Sequence, residues 1–434
     1  MMERVCIKTF GCQMNEHDSE RLAGVLRDAG CRLVVEMESA DVIILNTCSV
    51  RPKAEDKAAS LLGRLSGWKS RCPGRRLGIA GCMAQHHGRT LFRRFPYLDF
   101  VVGPRSVHRI HEVLSEVRRT GRACLVDLGD TPIYGTVLRR PGVSASITIM
   151  EGCDNFCSYC IVPHVRGREH SRPSAGIIAE VEEVARRGFK EVLLLGQNVN
   201  SYNRGNPDDL SFPELLRAVA GVAGIDRLRF VTSHPRDMSP ELIACFGELP
   251  QLCEFLHLPV QSGSDAVLRR MNRGYTRAHY LGLVEALRRV RPGIAFSTDV
   301  IVGYPGERDE DFEATLDLVR KVRFDTFFSF HFSTRPGTTA AGERDTVPLK
   351  VKRDRLLRLN AVRDAISLER NRALIGTTVE VLAAGFAKRC NGPLVGRTRS
   401  HKLVHFSGSD ALVGKLVQVR IDDATTNCLY GELR

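Results

Sequence analysis

Short apolar runs alternate with segments whose apolar residues recur at helical spacing through the first third of the chain. Residues 5–10, 41–45 and 77–80 read as strands. Residues 17–29, with Leu22, Val25 and Leu26 on one side, and residues 54–65 read as helices. That order favours a parallel sheet with helices on its faces, a domain of about residues 1–126. From about 140 the alternation resumes, with strands expected at 146–150, 191–195, 227–231, 254–258, 295–302 and 326–330 and a helix at 174–187. Six strands with intervening helices predict an open, partial (β/α)6 barrel, again of the α/β class.

A charged segment at 350–372 carries Leu356, Leu359, Val362 and Ile366 at helical spacing. It reads as a linker helix whose charges form a solvated face, and it completes a unit of residues 140–370. Beyond 376 the period changes to short β-type runs at 379–382, 394–397, 403–406 and 416–421, divided by Gly, Asn and Ser. The expectation for 373–434 is a small antiparallel β-barrel.

Composition adds constraints to this outline. A chain of 434 residues exceeds one ordinary core. With 43% hydrophobic and 26% charged residues it has the make-up of a globular protein. No apolar stretch reaches the roughly 18 residues of a membrane helix, and no signal-peptide pattern opens the sequence, so a cytoplasmic location without membrane partners is the expectation. The net charge of +13 favours a polyanionic partner. Lys388, Arg389, Arg397, Arg399, Lys402 and Lys415 lie in the predicted small barrel, where such a face can follow a phosphate backbone.

Fourteen cysteines in a reducing compartment point to metal binding or catalysis before disulfides. Cys153, Cys157 and Cys160 fall within eight residues as C-x3-C-x2-C. A closed zinc site takes four ligands, and three thiolates leave one position open. A 4Fe–4S cluster suits three thiolates better, because its fourth iron can take the amino and carboxylate groups of S-adenosylmethionine. A zinc knuckle completed by His164, or three buried thiols without chemistry, is the plainer alternative.

A second set, Cys12, Cys48 and Cys82, follows the first, second and third predicted strands. In a parallel sheet those C-terminal ends share one edge, where ligands bind. Gly11 and Gly81 precede two of these cysteines and permit close backbone approach to a bulky group. The remaining eight (Cys6, Cys31, Cys72, Cys124, Cys245, Cys253, Cys390 and Cys428) are expected to be packing residues.

Further motifs fall at the C-terminal ends of the central strands: Gly196 and Gln197, Ser233 and His234, Gln261, then Gly303, Pro305, Gly306 and Glu307. Each alone is as well explained as a cap or turn residue. As a set on one rim they point to a nucleoside-like cofactor, S-adenosylmethionine, together with the substrate.

The C-x3-C-x2-C loop resembles that of the radical S-adenosylmethionine enzymes. Gly11-Cys12, Asn46-Thr47-Cys48 and Gly81-Cys82 resemble the auxiliary-cluster segments of methylthiotransferases, and the C-terminal region resembles the TRAM domain. Over nearly its whole length the chain resembles the tRNA methylthiotransferases. Arg51 after Asn46-Thr47-Cys48-Ser49-Val50, the Ser233-His234-Pro235 triplet, and His257-Leu258-Pro259-Val260-Gln261-Ser262-Gly263-Ser264 resemble members acting on N6-isopentenyladenosine at tRNA position 37.

The resemblance implies two 4Fe–4S clusters, S-adenosylmethionine used both as radical source and as methyl donor, and the anticodon stem-loop as partner. It further implies a flavodoxin or ferredoxin as electron donor and a monomeric chain. The competing readings are methylthiolation of threonylcarbamoyl-adenosine or of a ribosomal-protein aspartate, and a non-catalytic RNA-binding iron–sulfur sensor.

Overall fold

The computed structural model describes residues 2–50, 52–129, 134–387 and 392–434. Arg51, Lys388, Arg389 and Cys390 lie outside these. The chain divides into two units, the first made of residues 1–141, 150–154 and 160–170, the second of 142–149, 155–159 and 171–434.

In the first unit six parallel strands, β1 (Arg4–Phe10), β2 (Arg32–Leu33), β3 (Val42–Thr47), β4 (Arg76–Ala80), β5 (Phe100–Val102) and β6 (Ala123–Leu125), lie in the order β2-β1-β3-β4-β5-β6. Alternation along β3 explains the two cores. Ile43 and Leu45 pack with Leu62 and Trp68 of the helix Pro52–Ser70. Val42 and Ile44 pack with Leu22 and Leu26 of the helix Gln13–Asp28 on the opposite face. Both faces of a parallel sheet are thereby covered. The three-residue strands β5 and β6 and the two-residue β2 were too short to register as periodic signals.

The second unit begins with β7 (Ser144–Thr148), β8 (Glu191–Leu195) and β9 (Arg227–Phe230), parallel in the order β9-β8-β7. The strands β10 (Phe255–His257), β11 (Ala295–Val302) and β12 (Thr326–His331) form a second parallel set. A parallel bridge from Leu228 of β9 to Leu252, three residues before β10, lies between the two sets of this open, six-stranded α/β arrangement. The C-terminal region is a closed five-stranded barrel of β13 (Thr378–Phe386), β14 (Leu394–Thr398), β15 (Leu403–Phe406), β16 (Leu416–Ala424) and β17 (Cys428–Leu433). Four of its five pairings are antiparallel, and β17, the strand that closes it, runs parallel to β15.

Two charged regions differ from the expectation. The helix Leu349–Arg372 is not simply solvated on its charged side: Lys352 and Arg355 are buried, Lys352 against Asp345 and Arg355 against Glu307 at 2.7 Å. In the small barrel, Arg399 pairs with Glu254 at 2.8 Å and donates to Pro250 O, and Lys402 pairs with Asp325 at 2.9 Å. Arg397 donates to the His401 carbonyl. The charges of Arg399 and Lys402 are thus taken up by protein carboxylates, so these two do not form the phosphate-tracking face; Arg397 and Lys415 remain exposed.

From the other side, Arg229 pairs with Glu191 and donates to Arg399 O and Thr398 O, and Arg227 pairs with Glu380 and donates to Arg397 O. Charges legible in the sequence as surface therefore fasten the small barrel to the open one. Of the cysteines expected to pack, Cys6, Cys245 and Cys253 are buried, whereas Cys72 is exposed.

Candidate functional site

Cys12 caps the start of the helix Gln13–Asp28, Cys48 follows β3, and Cys82 opens the helix Cys82–His87 after β4. Because β1, β3 and β4 are neighbours in register, with Phe10 beside Thr47 and Asn46 beside Ala80, all three thiols arrive at one edge of the sheet. Backbone pairing continues to the cysteine positions, the Cys48 amide donating to Phe10 O at 2.8 Å.

The approach is close. A Cβ on Gly11 would stand 2.8 Å from the Cys48 Cβ, and one on Gly81 would stand 2.3 Å from Asn46 Oδ1. Gly81 also has a φ of +87°; what the two glycines make room for here is protein, Asn15 and Cys48 at Gly11 and Asn46 and Thr47 at Gly81. Asn46 organises the edge from within: its Nδ2 donates to Asn15 O and Ser19 Oγ, both at 2.8 Å. The hydrogen bond with the Cys48 thiol, working against burial, brings the Cys12 sulfur down to about 6. Burial pushes the Cys82 thiol up, against the charge and hydrogen bond of Arg166. Three thiols of this kind, one of them ready to ionise, form a donor set for a soft metal centre.

The sequence pattern missed Arg166 and its partners. Arg166 pairs with Asp18 at 2.5 Å and Arg21 with Glu151 at 2.6 Å, four charged side chains that are all almost wholly buried. Beside Cys48, Ser49 Oγ bonds Glu55 and lies 3.1 Å from His86 Nδ1. His87 Nε2 stands 3.4 Å from the Glu55 carboxylate.

The C-x3-C-x2-C loop is divided between the two units. In the first, the Cys153 amide donates to Gly167 O. In the second, Cys157 Sγ accepts a hydrogen bond from Arg273 Nη1 at 3.2 Å. Segment 270–275 grips this part of the loop: Ser158 N donates to Met271 O, and Asn272 Nδ2 to Phe156 O at 3.1 Å. Asn272 and Gly274 flank Arg273 with positive φ values of 55° and 67°, which fixes the turn that carries it. Such an Asn-x-Gly signal was available in the sequence, but not its target.

The rim motifs separate into two groups. Gly196 and Gln197 directly follow β8. His234, after β9, is tied through its backbone to the side chain of Asn200, and its ring stands edge-on to Tyr275 at 5.6 Å. Burial, then the charges of Arg273, Arg236 and Arg204, lower the His234 imidazole to about 2. Gln261 takes a φ of +70° and pairs through its backbone with β11. Ser233 Oγ, His234 Nε2 and Gln261 Oε1 are buried atoms without a hydrogen-bond partner among the described residues, which leaves them open to a bound molecule.

Gly303, Pro305, Gly306 and Glu307 are engaged differently. The Gly303 amide donates to Glu307 Oε2 at 2.5 Å, and the same oxygen faces Arg355. A Cβ on Gly303 would meet Lys352, and one on Gly306 would meet Arg270 at 2.3 Å. These glycines give room to protein side chains; Glu307 gives one carboxylate oxygen to the loop and to Arg355, while its Oε1 is buried without a hydrogen-bond partner among the described residues.

Residues 4–103 match the uncharacterized protein family UPF0004, residues 147–319 the radical SAM superfamily and residues 372–433 the TRAM domain. The chain is 50% identical over 431 residues to the tRNA-2-methylthio-N(6)-dimethylallyladenosine synthase of Geobacter sulfurreducens, covering 98% of this chain and 96% of that protein. It is likewise 50% identical to the Syntrophobacter fumaroxidans protein of the same name, covering 98% and 95%. Among solved structures, the radical S-adenosylmethionine methyltransferase TsrM of Kitasatospora setae, with cobalamin and a 4Fe–4S cluster bound, has a TM-score of 0.57 at 16% identity. That alignment covers 78% of this chain and 74% of TsrM, and the likeness is one of fold.

Proposed function

Because the chain belongs to the family of tRNA-2-methylthio-N(6)-dimethylallyladenosine synthases, a radical S-adenosylmethionine methylthiotransferase family, we propose that it methylthiolates C2 of N6-isopentenyladenosine at position 37 of tRNA. The observation that carries this reading beyond kinship is the meeting of Cys12, Cys48 and Cys82 at one sheet edge, a second three-thiol set in addition to the C-x3-C-x2-C loop.

When bound, a 4Fe–4S cluster on Cys153, Cys157 and Cys160 supplies the electron that splits S-adenosylmethionine, and one on Cys12, Cys48 and Cys82 supplies sulfur that a second S-adenosylmethionine methylates. The adenine C2–H has no useful acidity, so a side-chain base could not activate it. The protein's part is to hold and to exclude. Gly196, Gln197, Ser233, His234 and Gln261 line the rim for cofactor and base, and the neutral His234 offers its unpartnered Nε2 there. Gly303, Pro305, Gly306 and Glu307 shape that rim through Lys352, Arg355 and Arg270.

Residues 1–126 serve sulfur, 140–370 the radical and 373–434 RNA. A flavodoxin or ferredoxin delivers the electron to a monomeric chain. No helix among the described residues is long and apolar enough to cross a membrane.

Anaerobic reconstitution with iron and sulfide counting, followed by assay of 5′-deoxyadenosine and mass spectrometry of the tRNA nucleosides, tests this. Cys157→Ala is expected to abolish 5′-deoxyadenosine. Cys48→Ala is expected to keep uncoupled cleavage and lose sulfur insertion. A preparation that saturates at a single cluster per chain, or a Cys48→Ala variant with full product formation, removes the second site from the reaction.

A further inference from the structure

Arg273 is a buried cation with no carboxylate beside it. Its side chain is 4% exposed. Nη1 donates to Cys157 Sγ at 3.2 Å and to the Tyr159 hydroxyl at 3.4 Å, Nη2 to Pro259 O at 2.9 Å, and Nε to the Tyr275 hydroxyl at 3.2 Å. Among the described residues no aspartate or glutamate reaches it. Other buried arginines are compensated: Arg21 by Glu151, Arg166 by Asp18, Arg227 by Glu380, Arg229 by Glu191 and Arg355 by Glu307. Among the described residues Arg105 is the other exception, and it caps three backbone carbonyls.

A guanidinium withdrawn from water without an anion is costly, and such groups are normally paired. The one group in contact with Arg273 that becomes strongly anionic in the working enzyme is Cys157. We propose that Arg273 is the counter-charge of the cluster that Cys157 helps to hold, and that it makes this cluster easier to reduce. The inference rests on the reading that Cys153, Cys157 and Cys160 carry a 4Fe–4S cluster.

The physics follows from the contact. One electron from a low-potential donor adds one unit of negative charge to the cluster, with no bond made or broken in the protein. A fixed positive charge and an N–H···S hydrogen bond at a ligand sulfur favour the more negative state. The turn built by Asn272 and Gly274, and the tyrosine hydroxyls on the same guanidinium, keep the donor aimed, so little reorganisation accompanies reduction. Arg166 stands beside Cys82 in a comparable way, but Asp18 cancels its charge. The two cysteine sets are thus distinguished by one uncompensated cation.

The test is potentiometric titration with dithionite and redox mediators on the reconstituted full chain, without S-adenosylmethionine, read by electron paramagnetic resonance. In Arg273→Gln the midpoint of the Cys157 cluster is expected to move to lower potential while that of the Cys12–Cys48–Cys82 cluster stays in place as an internal control. Arg273→Lys, which keeps the charge, is expected to retain iron and recover most of the shift. An unmoved midpoint in a fully loaded Arg273→Gln protein overturns the proposal. So does a Lys variant as defective as the Gln variant, or an unchanged midpoint accompanied by lost S-adenosylmethionine affinity, which would give the guanidinium to the cofactor's carboxylate. A wild-type chain that binds no iron through Cys157 overturns this inference and the proposed function together. Normal wild-type turnover with an unmoved Arg273→Gln midpoint removes the role of Arg273 alone.

Discussion

The carboxylate of Asp18 meets the guanidinium of Arg166 at 2.5 Å, with both side chains almost wholly buried and 148 positions apart in the chain. Arg166 in turn hydrogen-bonds the Cys82 thiol. An aspartate on the helix after β1 therefore governs the surroundings of a cysteine two strands away.

Asp18→Ala leaves that guanidinium buried without its anion, a loss of about 3–5 kcal/mol. Denaturant unfolding of the loaded protein measures it, and iron retention should fall in parallel because Cys82 loses its oriented neighbour. An unfolding midpoint equal to that of the wild type would show that the pair contributes nothing net.

Gly81→Ala tests the edge where the three thiols meet. The added Cβ would lie 2.3 Å from Asn46 Oδ1 and 3.0 Å from Thr47 O, on a residue whose φ is +87°. Strain of this kind costs about 1–3 kcal/mol. On the proposed two-cluster reading, iron after reconstitution is expected to drop to about half, with 5′-deoxyadenosine formation preserved. Full iron and full sulfur insertion in this variant would mean that the edge can relax around the methyl group.

Arg229→Met addresses the fastening of the small barrel. The change removes donors to Arg399 O and Thr398 O and leaves the buried Glu191 carboxylate with the Ser144 hydroxyl but without its cation. A buried pair broken in this way costs about 3–5 kcal/mol. Limited proteolysis should then release a C-terminal fragment beginning near the end of the helix Leu349–Arg372. Protection identical to the wild type would place the fastening elsewhere, for example in the Arg399–Glu254 pair.

His234 sets a pH dependence. Burial, reinforced by three nearby arginines, keeps its folded-state value near 2, so the folded protein holds a neutral ring while the unfolded chain takes up a proton below about 6.5. With the unfolded state binding the extra proton, stability is complete above about pH 6.5 and declines below it by up to about 1.4 kcal/mol per pH unit. His234→Gln removes this slope. Unfolding curves for both proteins on either side of about pH 6.5 should converge as the pH falls, and a difference that stays constant would exclude the neutral buried ring.

What could be read in the sequence was what is local. Strand and helix follow from periodicity, and Cys12, Cys48 and Cys82 could be placed on one edge because a strand's end is fixed by its own residues and parallel strands share a direction. The C-x3-C-x2-C spacing needs no fold to announce a donor set. Charge was misread for the same reason. Arg399 and Lys402 look like surface in a polar stretch, and only the docking of one barrel on another supplies Glu254 and Asp325. Arg166 and Arg273 could not be picked from 63 lysines and arginines, because a buried cation is defined by what lies beside it after folding. Sequence settled which atoms can bind and react. Tertiary structure settled which of those atoms meet, through contacts between residues far apart in the chain whose strength depends on the burial that folding creates.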